Sequence, residues 1–314
     1  MKTPQYVFCI GAGDDQIPYL EIIKEMGFRI VTVDRNGLAP GFSLSDEHAV
    51  ISTHDYDGIL EYVRSLPKSI KLHRVFSFAT GYPQLVAVKI AAFLGLPHSP
   101  ESAIKSILDK AEFRLILEDL NLPTIPFALV SNYPEAIKAS SKIDFPQIFK
   151  PATGGMGSIG VSRVDSERDA RAAFERATDS SNNGTVLIEK FIEGIHLSYT
   201  GLIVGGRWKY TALGKKLIHP EGRFIPVGAA QGFQPAEQHL NATIDQHFKS
   251  MASRLGFEQS TLRADVIYDP VDELAYFIEM EIVLATPLLL APVSHGYDLL
   301  KNIVKTVLFQ DVKK

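Results

Sequence analysis

The sequence predicts a mixed α/β and α+β protein in two parts, a parallel-sheet domain followed by a larger region where antiparallel strands dominate. Three observations predict this. Over the first hundred residues, short apolar runs alternate with amphipathic ones, the pattern of strands joined by crossover helices. Pro97 and Pro100, with polar residues around them, then interrupt that rhythm. The 314 residues are also more than one hydrophobic core usually holds, so two or three domains are expected.

In chain order, Tyr6–Ile10, Arg29–Asp34 and Arg74–Phe78 are short, β-branched or aromatic, and bounded by glycine or polar residues, as strands are. Ile17–Met26 carries Ile17, Leu20 and Ile23 on one helical stripe, and Gly27 stands where a helix C-terminal glycine belongs. Tyr56–Leu66 and Leu85–Leu94 are further helices, the second stopped by Gly95. After the proline boundary, helices are expected at Ser102–Leu108 and Ala111–Leu120. Strands follow at Phe127–Val130, Pro146–Lys150 and Val161–Val164. Pro134 suits the first turn of a helix, and an Asp165/Ser166 cap opens another over Ser166–Ala177. Strands dominate from Val186 to about Ala230. A helix near Leu240–Leu255, strands at Arg263–Tyr268 and Ala275–Ile282, and a helix from Leu299 complete the pattern.

Composition narrows the function. Thirty-two Lys and Arg against 36 Asp and Glu give a net charge of −4, which argues against non-specific nucleic-acid binding. No apolar stretch approaches the length of a membrane span and none reads as a signal peptide, so the expected address is the cytoplasm. Cys9, the single cysteine, sits in an apolar run and reads as a small buried hydrophobe.

Two glycine-rich segments follow strands. Gly11-Ala12-Gly13, with Asp34 at the end of the second strand, has part of a dinucleotide fingerprint. Gln16 replaces its third glycine, and the turn reads as structural. The segment Ala152–Gly160 follows a strand ending in Lys150. Its glycines let backbone N–H groups approach phosphate oxygens closely, with the Lys150 charge alongside. Near the C-terminus, strand alternation puts Glu279 and Glu281 on one face and Ile278, Met280 and Ile282 on the other. Antiparallel pairing would bring Asp265 beside them, and three carboxylates suit Mg²⁺. The alternative is a solvated sheet face with a salt bridge to Arg263 or Lys216.

Taken together, these segments resemble the ATP-grasp superfamily. Gly11-Ala12-Gly13, Gly27 through Asp34 and Leu38-Ala39-Pro40-Gly41 resemble the domain that precedes the grasp in carbamoyl phosphate synthetase, biotin carboxylase and the amino-acid ligases. Asp109-Lys110 before Leu122-Pro123-Thr124-Ile125-Pro126 resembles the family's "DK…GLPTP" stretch. Leu187 through Gly194 resembles its adenine hinge, and His295-Gly296-Tyr297-Asp298-Leu299 its closing helix start. The resemblance implies a Rossmann-like domain over 1–98 and a two-part ATP-grasp fold over 99–314, with a lid subdomain at about 123–191. It implies that Lys110 and Lys150 hold phosphates under a lid of Gly154, Gly155, Met156, Gly157 and Ser158. Glu189, Lys190, Phe191 and Ile192 would read adenine, and His196 would either face ribose or be a satisfied strand histidine. Asp265, Glu279 and Glu281 would ligate one or two Mg²⁺, with Mn²⁺ as a substitute.

Three departures stand out. Glu281-Ile282-Val283 replaces the end of "E-x-N-P-R", so the arginine that steadies an acyl phosphate is missing from its usual place. His196 replaces an acid after the hinge glycine, and Thr80-Gly81-Tyr82-Pro83 replaces an acidic residue after the third strand. The implied chemistry is ATP-dependent ligation of a small-molecule carboxylate to an amine, by a chain that could act as a homodimer. Lys150, Lys216 and Arg223 are the catalytic candidates. Arg223 and Arg207 are candidates for an anion clamp, and residues 219–223 for a second lid. The competing reading is a nucleotide-binding protein that has lost turnover.

Overall fold

The computed structural model describes residues 4–218, 226–231, 238–282 and 299–308. Val7, Phe8, Cys9 and Ile10 are all buried in β1 (Gln5–Ile10), as a continuous apolar run must be when both sheet faces are covered. The strand lies between β2 (Arg29–Asp34) and β4 (Lys71–Phe76). With β3 (Glu47–Val50) they form a parallel sheet in the order β3-β2-β1-β4. Helix α1 (Ile17–Glu25) covers one face, and α2 (Tyr56–Ser65) and α3 (Tyr82–Phe93) the other. Strand β3 is absent from the sequence expectation because, as a short edge strand with mostly exposed side chains, it carries no apolar signal. The strand expected at Arg74–Phe78 starts three residues earlier, where Leu72 and His73 are only half-buried.

The first glycine turn is closed on itself. Gly11 has φ +106° and donates to Val33 O, Ala12 N donates to Asp34 Oδ2 (3.0 Å), and Gly13 N donates to Gln16 Oε1 (2.9 Å). Asp34 and Gln16 thus occupy the amides that a dinucleotide phosphate would need.

Helices α4 (Glu101–Leu108) and α5 (Lys110–Asp119) lead into a four-stranded antiparallel sheet. Its strands are β5 (Phe127–Val130), β6 (Gln147–Pro151), β7 (Ser162–Val164) and β8 (Val186–Lys190), in the order β5-β8-β6-β7. Helices α6 (Tyr133–Ser140) and α7 (Glu167–Asp179) cover one face, where Ala170, Ala173 and Ala177 meet Phe149 and Ile188. Alternation therefore sends Lys150 and Glu189 to the opposite face. Ser166 is the α7 N-cap as expected, but its hydroxyl donates to Asp169 rather than accepting a backbone N–H.

The third sheet is also antiparallel. It contains β9 (Ile195–Val204), β10 (Arg207–Ile218), β11 (Pro226–Gln231), β12 (Ser260–Asp269) and β13 (Leu274–Glu281), in the order β11-β10-β9-β12-β13. Helix α8 (Gln238–Arg254) joins α4 and α5 over one face, around Tyr199, Phe248, Ala264 and Phe277. A register shift in the β12–β13 pair modifies the expected alternation. Asp265 faces Glu279 while Val266 faces Phe277, so Ile278 is bulged and packs beside Ile125, Ile192 and Tyr276, apart from Met280. Helix α9 (Leu299–Leu308) returns to the parallel sheet, placing Leu300, Ile303 and Val304 beside Val7, Cys9 and α1. Among the described residues, no helix is long and apolar enough to cross a membrane.

Candidate active site

The polar faces of the two antiparallel sheets line a cleft of about 1130 Å³. Asp109 N-caps α5, accepting from the N–H groups of Ala111 (2.9 Å) and Glu112 (3.1 Å). That cap fixes Lys110 in the first helical turn, where its Nζ donates to Gly154 O (2.9 Å) at the start of the glycine loop. Burial lowers the Lys110 ammonium pKa, against the pull of Glu279 and Glu189.

The glycine loop needs its glycines. Gly154, Gly155, Gly157 and Gly160 all have positive φ, and a Cβ on Gly155 would lie 2.7 Å from both Ile159 O and Pro151 Cγ. Gly154, Gly155, Gly157 and Ser158 line the cleft, and Met156 opens the 3₁₀ turn Met156–Ser158 between them.

Lys150 enters from β6 and forms a buried triad. Its Nζ is 2.6 Å from Glu189 Oε2, and Arg114 Nε is 2.7 Å from Glu189 Oε1. Arg114 also donates to Phe277 O and Ile278 O, tying α5, the hinge strand and the carboxylate strand together. Burial pushes the Lys150 ammonium down to about 8 despite the Glu189 charge. Burial would raise the Glu189 carboxyl, but Arg114 and then Lys150 outweigh it and hold it down at about 2. Glu189, expected to read an adenine edge, thus has both oxygens engaged. The hinge amides of Lys190 and Phe191 are engaged too, donating to Pro126 O (3.0 Å) and Pro146 O (2.8 Å). Beside them, Ile125, Ile148, Ile192 and Ile278 give this end of the cleft an apolar wall.

At the other end stand His196, Lys216 and the carboxylates. Burial lowers the His196 pKa, as does the Lys216 charge. Lys216 is ion-paired with Asp265. Arg263 Nη2 is 2.6 Å from Glu281 Oε2, 3.9 Å from Glu279 Oε1, and its Nη1 is 3.7 Å from Asp265 Oδ1. Burial, then Glu281 and Asp265, push the Glu279 carboxyl up to about 7, whereas Arg263 and Lys216 overcome burial to hold Asp265 low. Both salt bridges weighed from the sequence are therefore present, and both lie within the carboxylate cluster. No three His, Cys, Asp or Glu side chains among the described residues converge as a ready metal cage.

Of the predicted residues, Lys110, Lys150, Lys216, the hinge, His196 and the three carboxylates share this one cleft. Arg207 does not join them; it is exposed where β10 begins. Arg223, the rest of 219–223 and residues 295–298 lie outside the described residues. Sequence reading missed Arg114 and Arg263 as members. Arg114 had a visible signal, standing on the stripe of Ala111 and Leu117 where a charge must be paired.

Residues 109–199 match the family model of the carbamoyl-phosphate synthase L chain ATP-binding domain, the segment that holds both lysines, the glycine loop and the hinge. The L-amino acid ligase from Bacillus licheniformis superposes over 98% of this chain and 75% of its own, with TM-score 0.80 and 18% identity. The chain has the fold of that ligase. A second structural neighbour is the biotin carboxylase domain of Hydrogenobacter thermophilus 2-oxoglutarate carboxylase, a dimer in complex with MgADP, ADP and bicarbonate. It covers 100% of this chain and 72% of its own at TM-score 0.81 and 17% identity. A formate-dependent phosphoribosylglycinamide formyltransferase from Ignicoccus hospitalis is 26% identical over 195 residues, 61% of this chain. The chain spans about half the length, 47%, of that curated relative.

Proposed function

We propose that the protein uses ATP and Mg²⁺ to activate a small-molecule carboxylate as an acyl phosphate, which an amine then captures. The observation that carries this reading is the convergence of Lys110, Lys150 and the glycine loop with Asp265 and Glu279 around one cleft. Lys110 and Lys150 offset the charge of the triphosphate, and the loop amides cap its oxygens. The apolar wall at the hinge would hold adenine, with the backbone of Lys190–Ile192 toward its edge and His196 toward the ribose.

The carboxylates fit a hard divalent cation. Among the described residues, Asp265 Oδ1 is buried without a hydrogen-bond partner, and Glu279 is crowded by like charge. Asp265 and Glu279 would hold Mg²⁺, or Mn²⁺ in its stead, and the ion would offset the negative charge of the triphosphate. A substrate carboxylate oxygen attacks the γ-phosphorus, the bond to the β,γ-bridging oxygen breaks, and ADP leaves. The amine nitrogen then attacks the acyl carbon, phosphate departs, and the nitrogen gives up a proton. Lys216, which pairs with Asp265 and lines the same cleft, would steady the transferred phosphoryl group. A homodimer is the proposed assembly.

The test is ATP-dependent release of ADP and phosphate across a panel of carboxylates and amines. Turnover that needs both an acid and an amine, and that is lost in Lys150→Ala and Glu279→Ala, is expected. Failure of the wild type to bind Mg–ATP in calorimetry overturns the reading.

A further inference from the structure

The three carboxylates are in different states of occupation. Glu281 sits directly opposite Arg263 in the β12–β13 register, and the pair closes to 2.6 Å with side chains only 20% and 13% exposed. Among the described residues, Glu279 has no comparable partner, its nearest guanidinium nitrogen being 3.9 Å away, and Asp265 keeps one buried oxygen without a hydrogen bond. For Glu281 to ligate a metal, it would have to leave a largely buried arginine that would then be held only by the two carboxylates the metal also needs.

We propose that Arg263 and Glu281 form a built-in neutral pair, so that Glu281 is a counter-ion and not a metal ligand, and Asp265 and Glu279 hold a single divalent cation. The inference rests on the Mg–ATP reading above. It also resolves the departure from "E-x-N-P-R". Where that pattern has an uncharged Asn, this chain has a glutamate whose added charge is cancelled across the strand pair. The net charge facing the cation is that of two carboxylates, with Lys216 paired to Asp265 and Arg263 Nη1 3.7 Å from it. Arg263 is a positioning residue here. Its guanidinium is directed at Glu281, and its role is to keep that carboxylate out of the metal shell.

The experiment is a Mn²⁺ titration followed by electron paramagnetic resonance, with a non-hydrolysable ATP analogue, on the whole chain. Wild type is expected to take up one Mn²⁺ per chain in the ternary complex. Arg263→Gln unmasks Glu281 and should tighten Mn²⁺ binding about tenfold or admit a second ion. Glu281→Gln leaves the arginine facing the cation and should weaken Mn²⁺ about tenfold. The double variant should return to within about threefold of wild type, the non-additivity expected of a directly coupled pair. Arg263→Lys, which keeps the charge, should hold the stoichiometry at one, and thermal melts establish that each variant is folded.

Two Mn²⁺ in the wild type, or strictly additive effects in the double variant, overturn the proposal. So does a loss in Glu281→Gln as deep as that in Asp265→Asn. A wild type that binds the analogue but gives any of these results leaves the ATP reading standing and removes only the neutral pair. A wild type that binds neither analogue nor Mn²⁺ overturns both.

Discussion

The molecule has two glycine-rich turns after strands, and their amides meet different fates. In the turn Gly11-Ala12-Gly13, the amides go to Val33 O, the Asp34 carboxylate and the Gln16 side chain, so the turn is finished by the chain itself. In the loop from Thr153 to Gly160, four positive-φ glycines hold the backbone against the cleft, beside Lys110 and Lys150. Glycine content alone does not distinguish them. What does is whether the flanking acid and amide side chains reach back into the turn.

The largest expected effect tests the second loop. Lys150→Ala should weaken Mg–ATP binding on the order of 100-fold by calorimetry, because a desolvated charge beside phosphate is removed. Weakening below threefold would place the triphosphate elsewhere. Next, Gly155→Ala should lower stability by about 1–3 kcal/mol in a thermal or denaturant melt, given φ +63° and a Cβ 2.7 Å from Ile159 O. Asp34→Ala should cost about 1–2 kcal/mol of stability while leaving ATP affinity unchanged. Lost ATP affinity in that variant would make the first turn a nucleotide site and collapse the contrast.

A pH series sharpens it further. Lys150 binds phosphate as an ammonium, and burial holds its pKa at about 8 in the free protein. Above that pH, ATP binding must draw a proton from solvent, so affinity should fall by up to about tenfold per unit as pH rises through 8. Below it, the lysine should contribute no pH dependence. Lys150→Arg should remove the bend, and a profile that bends identically in both proteins would assign it to another group. The smallest effect belongs to Arg163, whose guanidinium lies 4.3 Å from the Phe191 ring centroid with the side chain 43% exposed. Arg163→Ala should change stability by about 0.5–1 kcal/mol at most.

Much of this was legible in the sequence because the signals were local. Strand β5 matches its expected bounds, Gly27 and Gly95 stop helices with positive φ, and the lysines and carboxylates share one cleft. The misses arise where tertiary context decides. Strand β3 exists only as an edge to β2, and its exposed residues carry no periodicity. The bulge at Ile278 redirects side chains without any glycine or proline to announce it. Glu189 looked like a reader of adenine until Arg114, 75 positions away, proved to hold one of its oxygens. Arg263 was weighed only as a possible salt-bridge partner. Its contact with three carboxylates depends on the register of two strands, which pattern alone does not fix.

The return of α9 to the parallel sheet has a consequence for how the chain is made. Leu300, Ile303 and Val304 complete the same apolar face as Val7, Cys9 and Leu20. Strand β4 closes that sheet at Phe76, about 220 residues before α9 begins at Leu299. At synthesis rates of roughly 5–20 residues per second, that face waits for roughly 10–45 s before its cover emerges from the ribosome. The parallel sheet is thus made well before it is sealed, and over that interval its bare face is a surface on which a chaperone or a second nascent chain can settle.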